Sequence, residues 1–225
     1  MNRKLFLLPF FFLAGMLYGQ AGLTVYYQIQ DATYWKVIHP DNSDVGLLEQ
    51  APAFALDYHF RPFEGKRIEL FPELRMVMPT ETTFGQNKTT LGLYSFNLNT
   101  NLYPLTFNGD CHCPTFRKEN PFFKKGFFLR LSPGLSILRE SVFDGTLTLK
   151  ATQTVFSLGI GGGLDIGISP RLTVTPLFMV RFYPKYDLKG LPRTYPDLWF
   201  FEKKTSIFTQ FNPGIRLEFQ FIEDY

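Results

Sequence analysis

The feature that most constrains this chain is period-two alternation, and it is clearest near the C-terminal end. Residues 205–221 read TSIFTQFNPGIRLEFQF. Ile207, Phe211, Ile215, Leu217, Phe219 and Phe221 fall on one parity, and Ser206, Gln210, Asn212, Arg216, Glu218 and Gln220 on the other. Successive strand residues point to opposite faces, so the stretch is a strand with one apolar and one polar face. Such a strand belongs in an antiparallel sheet.

The same pattern recurs along the chain. It predicts strands over residues 22–30 (running on toward 37), 51–60, 66–78, 89–105, 126–138, 150–168, 171–183 and 205–221. These are eight alternating segments with no amphipathic helix between them. Turn chemistry separates them: HPDNSDVG at 39–46, RPFEG at 61–65, a polar loop at 79–88, Asp144-Gly145 within 139–149, and Ser169-Pro170. Each segment is long enough to cross a bilayer as a tilted strand, which takes about 9–11 residues. The polar parity carries Glu69, Glu73, Arg75, Arg130, Asp165, Arg181, Arg216 and Glu218. A dry soluble core does not tolerate so many charges. Inside a closed eight-stranded barrel, where side chains fill the interior, charges of both signs can pair as an internal network, and an open pore is not expected. Glycines at 159, 161, 162 and 163 leave room there for Arg and Phe from facing strands. Pro72, Pro133, Pro176 and Pro213 lie inside strands of a sheet without edges. LSPGL and FNPGI, around Pro133 and Pro213, are expected as bulges or kinks that curl the sheet.

The beginning of the chain gives the compartment. Residues 1–19, MNRKLFLLPFFFLAGMLYG, have a basic start, a short apolar run and a small residue at a plausible cleavage point. That is the layout of a secretory signal peptide, too short for a spanning helix. The expectation is therefore a signal peptide at 1–19 and one β-barrel domain at 20–225. The mature chain is an all-β, eight-stranded antiparallel up-and-down transmembrane barrel with periplasmic termini. On that layout the links at 61–65, 106–125 and 169–170 are periplasmic, the first and last short and 106–125 long for a periplasmic turn, and the external ones run up to residues 184–204. The formal net charge of +3 is too small to argue for nucleic acid. Phenylalanine, with 26 residues, is abundant enough to supply an outer apolar face, and the weak bulk hydropathy does not count against a barrel.

At the last strand the chain resembles the C-terminal signature of outer-membrane barrels, matched here by Asn212, Gly214, Leu217, Phe219 and Phe221. Members typically end on the aromatic residue, whereas this chain continues to Tyr225. The layout of residues 21–225 is similar to the small eight-stranded barrels of the OmpA-like transmembrane and OmpX-like type. Gln20 and the Phe-rich strands look like such barrels in Bacteroidota. The resemblance implies the cell outer membrane, contact with its lipid and lipopolysaccharide, and recognition by the barrel-assembly machinery. It implies no cofactor and carries over no active site.

Three local features raise further expectations. Cys111 and Cys113 flank His112 in GDCHCP. An exported chain permits a disulfide; the alternatives are a metal site short of the four ligands zinc wants, unpaired thiols, or an intermolecular link. Residues 106–125, with Phe116, Phe122 and Phe123, could dock a periplasmic or secretion-system partner or sit at the membrane boundary. The loop at 184–204, with Lys185, Lys189, Arg193, Lys203 and Lys204 beside Trp199 and Phe200, could contact lipopolysaccharide phosphates or be a solvated loop with an aromatic girdle. For a lipid-modifying enzyme, His39 stands near Asp41 and Ser43, and His59 near Asp57, but neither set is a triad on sequence alone.

Overall fold

The computed structural model describes residues 20–31, 36–38, 44–46, 50–63, 66–84, 87–106, 126–143, 148–169, 171–187 and 205–220. Strand β1 (Gln20–Asp31) is followed by a small hairpin, β2 (Lys36–Ile38) and β3 (Asp44–Gly46). Then come β4 (Ala51–His59), β5 (Ile68–Phe84), β6 (Asn87–Leu102), β7 (Phe127–Phe143), β8 (Thr148–Leu164), β9 (Ile166–Ser169), β10 (Leu172–Asp187) and β11 (Thr205–Gln220). Each main strand pairs antiparallel with the next in sequence, and β11 pairs with β1, so the sheet closes on itself. Strands β8 and β9 are one stave interrupted at Asp165, which makes eight staves in a closed, all-antiparallel barrel.

The register gives the barrel its width. Partners followed once round, from Gly22 through Asp57, Glu73, Asn97, Gly134 and Ser157, then from the adjacent Leu158 through Phe182 and Thr209, return to β1 at Asp31, a stagger of about ten residues. With eight strands, that stagger tilts each strand roughly 40° and sets a radius of roughly 8 Å. Such a lumen is filled by side chains.

Burial alternates along every stave, with the polar parity inside. Thr24, Gln28, Asp57, Glu73, Arg75, Asn97, Asn99, Ser132, Arg181, Asn212 and Arg216 are buried. Outside, Leu56 (63% exposed), Leu74 (65%), Leu135 (55%) and Ile215 (56%) stand in a continuous apolar belt with Leu23, Phe96, Phe156 and Phe178. The faces are those the alternation predicts.

The strand lengths depart from the prediction. Residues 79–84, 87–88, 139–143 and 148–149, expected as loops, continue β5, β6, β7 and β8 to 16 or 17 residues each. Tilted, a strand of 16 residues rises roughly 40 Å, more than the ~30 Å hydrocarbon core. The extra length stands beyond the belt as a four-stranded sheet, and in the residues leading into it the pattern inverts, although within it Glu140 is buried and Phe143 is 40% exposed. Leu91, Leu93, Leu138 and Val155 are buried, while Lys88, Arg139, Lys150, Thr152 and Thr154 are exposed. Water on both sides of the bilayer region explains this: where lipid gives way to solvent, the outer face becomes the polar one.

The prolines also behave differently from expectation. Pro133 pairs with Leu158 and Pro213 with Phe178 in unbroken register, so neither marks a bulge. Pro72 instead ends the β4–β5 ladder at Asp57–Glu73, and Pro176 lies opposite the break between β8 and β9. Each drops ladder bonds on one side without shifting its neighbours. The irregularities in register fall between Val77 and Thr80, Leu172 and Thr173, and Tyr183 and Tyr186. Residues 1–19, Cys111 and Cys113, the rest of 107–125, Phe221, and the basic loop from 188 to 204 lie outside the described residues.

Candidate functional site: the barrel interior

Inward alternation and register together assemble a polar column of three layers. At the end bearing the chain termini, the Arg216 guanidinium is held against Asp57, with Nε 2.9 Å from Oδ2 and Nη2 2.6 Å from Oδ1. Its Nη1 donates to Glu218 Oε2 at 2.5 Å. Both side chains of the Arg216–Asp57 pair are 2% exposed, and a planar fork on a carboxylate is the strongest form of such a contact. Gly22, in β1 between β4 and β11, makes the pair fit. A Cβ there would lie 2.6 Å from Arg216 Nη2 and 2.7 Å from Nε.

The same layer continues through His59 and Glu69. His59 Nδ1 lies 2.8 Å from Glu218 Oε1, its Nε2 is 3.3 Å from Glu69 Oε2, and its ring stacks on Phe71 at 4.6 Å. Glu69 accepts from Arg61 Nη2 at 2.7 Å. The Tyr103 hydroxyl sits between two carboxylates, 2.8 Å from Glu69 Oε2 and 2.6 Å from Asp165 Oδ2. Asp165 Oδ1 accepts from Thr175 Oγ1 at 2.6 Å. Asp165 is free to turn inward because its stave is interrupted there; its backbone N–H donates instead to Gly126 at 3.0 Å.

In the middle layer Glu73 is fully buried and held by neutral donors: Asn97 Nδ2 at 2.8 Å, Asn99 Nδ2 at 3.0 Å and Tyr26 Oη at 3.0 Å. Arg75 donates to Asn212 Oδ1 at 2.5 Å and lies over the Tyr26 ring at 4.2 Å. Arg130 donates to Asn101 Oδ1 at 2.7 Å. Arg181 is wholly buried and bonded to Ser157 Oγ (2.9 Å) and Ser132 Oγ (2.6 Å). Glycines 134 and 159 give it space, since a Cβ at either would come within 3.1 or 3.2 Å of its guanidinium nitrogens. Toward the hairpin end the column turns apolar. Ala51, Ala53, Val77, Leu93, Leu138, Val155, Tyr183 and Phe208 are buried there and join Met179, lower in the column, in one cluster.

All eight charged residues named from sequence therefore line one lumen, but in separate groups. Arg216 and Glu218 touch, as do Glu69 and Asp165 through Tyr103, whereas Glu73 forms no ion pair with Arg75. Asp57, His59, Tyr26, Tyr103 and the Asn97, Asn99 and Asn101 ladder complete the network. Alternation flags their inward parity, but only the register joins Asp57 to a partner 159 residues away. Of the C-terminal motif, Asn212 is buried in the lumen, while Phe219 is exposed on the belt and Leu217 half-buried beside it. Gly214 lets the Tyr26 ring approach, for a Cβ there would fall 2.6 Å from it. Among the described residues no cluster of three or more His, Cys, Asp and Glu is placed to hold a metal ion.

Comparison with known proteins agrees on the architecture. The solved structure of Neisserial surface protein A (NspA) matches over 90% of this chain and 97% of its own, with a TM-score of 0.51 at 10% identity. Ail, the attachment invasion locus protein of Yersinia pestis, aligns over 89% and 99% with a TM-score of 0.47, also at 10% identity. A major outer membrane protein from Thermus thermophilus aligns over 88% and 99% with a TM-score of 0.44 at 10% identity. At this identity likeness speaks for fold, and it is the NspA match that carries it. No protein-family model and no curated protein matches the chain. A closed ladder, an apolar belt outside and a polar lumen satisfy the bilayer's demand that every backbone group be paired. This is the construction of outer-membrane barrels, and the chain is an integral β-barrel of the cell outer membrane.

Proposed function

We propose that the protein is a plugged outer-membrane barrel whose role is to bind another macromolecule at the cell surface. The observation that carries this is the sheet standing beyond the belt. Strand β8 pairs with β10 only from Leu158 onward, and β4 pairs with β5 only as far as Val77. Among the described residues, β8 from Thr148 to Ser157 and β5 beyond Val77 have a neighbour on one side alone. Edges whose backbone donors and acceptors are free on one side among the described residues suit the addition of an extended segment from another chain. The outer face, with Lys88, Arg139 and Lys150, also suits lipopolysaccharide phosphates.

Periplasmic termini follow from this orientation, which puts the short links at residues 61–65 and 169–170 inside and the long hairpins outside. Asn212, Gly214, Leu217, Phe219 and Phe221 then serve as the signal read by the assembly machinery. Rings and guanidiniums of Arg181, Arg216, Tyr26, Tyr103, Phe71 and Phe128, all fully buried or nearly so, close the lumen to solutes. The proposed role is non-enzymatic; His59 faces the carboxylates of Glu218 and Glu69, and His39, Asp41 and Ser43 lie outside the described residues. The build matches small barrels of the OmpA-like and OmpX-like type, and the Phe-rich belt suits a Bacteroidota envelope.

The test is site-specific photocrosslinking in intact cells from position 150, on the β8 edge. A discrete adduct that disappears in a Thr152→Pro variant supports edge pairing. An adduct unaffected by Pro, or one formed only from position 105 at the opposite end, would replace this reading with a periplasmic docking role through residues 106–125.

A further inference from the structure

The middle layer of the lumen carries more positive charge than it neutralises. Arg75, Arg130 and Arg181 are 4%, 3% and 0% exposed. Their outward neighbours Leu74, Met76, Leu129, Leu131 and Phe182 all stand in the apolar belt, so the three guanidiniums lie at membrane depth. The carboxylate of the same layer is Glu73, also buried. Glu73 is occupied by Asn97, Asn99 and Tyr26 and touches no guanidinium. The next acidic groups, Asp57 and Glu218, are taken by Arg216, and Glu69 by Arg61. Among the described residues this layer thus holds three arginines to one carboxylate.

The unused hydrogen-bond donors point the same way. Arg75 Nε and Nη1, Arg130 Nη1 and Arg181 Nε are buried without an acceptor, although each guanidinium is anchored through its other nitrogens. Arg75 and Arg181 both border the Asn212–Met179 contact: Arg75 bonds Asn212, whose Nδ2 donates to the Met179 carbonyl, and Arg181 lies 3.8 Å from Met179 Sδ. Burying an unpaired charge is costly, and so is an orphaned donor on a charged group. Serines 95, 132, 136 and 157 and glycines 134 and 159 keep the wall small here, while Phe71 and Phe128 bound the layer toward the termini.

We propose that the barrel interior holds a small monovalent anion, chloride in ordinary media, at the free nitrogens of Arg75 and Arg181, with Arg130 contributing its charge. An ion there supplies an acceptor for the inward N–H groups and removes part of the charge excess. It does so beside Phe71 and Phe128, as a resident of the fold rather than a permeating solute. The inference is independent of any partner at the outer sheet.

The test uses the full barrel in detergent, with bromide as the probe. Crystals grown in sodium bromide should show an anomalous peak within hydrogen-bond distance of Arg75 and Arg181. In parallel, unfolding at constant ionic strength should depend on chloride when it replaces gluconate, which is too bulky to enter. Above saturation each tenfold rise in chloride should raise the folded-to-unfolded ratio tenfold. Arg75→Gln should abolish that dependence, whereas Glu81→Gln, on the exposed outer pair with Lys88, should retain it. Waters alone bridging the arginines to Asn97 and Asn99, with no bromide peak, would overturn the proposal. So would identical unfolding in chloride and gluconate. Both wild-type arms decide the matter even if Arg75→Gln does not fold.

Discussion

The Arg216–Asp57 pair offers the sharpest test of the interior network. Asp57→Asn keeps the shape of the side chain and removes its charge. Three short contacts, of 2.6, 2.9 and 3.1 Å, lose their ionic partner. Both groups are 2% exposed, so water cannot replace what is lost. Breaking a buried pair by changing one partner costs about 3–5 kcal/mol, because the other charge is left uncompensated. Glu218 still accepts from Arg216 Nη1 at 2.5 Å, which places this case at the lower end, about 3 kcal/mol. With a urea slope of about 2 kcal/mol per molar, the unfolding midpoint falls by roughly 1.5 M. The assay is equilibrium urea unfolding of the refolded barrel, read as the fraction that keeps its folded mobility on an unboiled gel. Glu81→Gln provides the scale, since the Lys88–Glu81 pair is about half exposed on both sides and such pairs contribute under about 1 kcal/mol. If Asp57→Asn moves the midpoint no further than Glu81→Gln, the pair is not a structural centre and the reasoning fails.

Other outcomes follow from the same geometry. Gly22→Ala pushes a methyl into the pinned Arg216–Asp57 contact and should cost about 1–3 kcal/mol in the same assay. Leu135→Arg, on the belt, should destabilise the barrel by about 2–4 kcal/mol in lipid vesicles, while Thr152→Arg, above it, should change stability by under about 0.5 kcal/mol. Tyr103→Phe leaves Glu69 and Asp165 facing each other without the hydroxyl between them. Its midpoint should drop by an amount corresponding to about 1–3 kcal/mol.

Much of this fold is legible in the sequence because lipid outside and polar packing inside both read directly as parity. Leu23, Phe54, Leu74, Phe96, Leu135, Phe156, Phe178 and Ile215 all lie on the face their alternation assigns. The strand ends are less legible for a physical reason. Beyond the belt the solvent changes, and apolar Leu91, Leu93, Leu138 and Val155 turn inward beneath a polar outer face. The predicted strands reach these residues but stop there, because Glu81, Lys88 and Arg139 just beyond them read as polar loop. The prolines are misleading in a similar way: a lost ladder donor is visible in sequence, but whether the register shifts is decided by the neighbouring strands. Within the lumen, inward parity identifies Arg75, Arg181 and Arg216, yet their partners depend on stagger round the whole barrel. That is why Asp57, 159 residues away, joins the nearby Glu218 in holding Arg216.

The most direct test of the central claim, a closed barrel in the outer membrane, is a heat-modifiability gel on the full chain taken from fractionated envelopes. The account expects the protein in the outer-membrane fraction, with an unboiled band that migrates differently from the boiled one because the β1–β11 ladder keeps the barrel shut. A soluble periplasmic protein with the same mobility before and after boiling would contradict it.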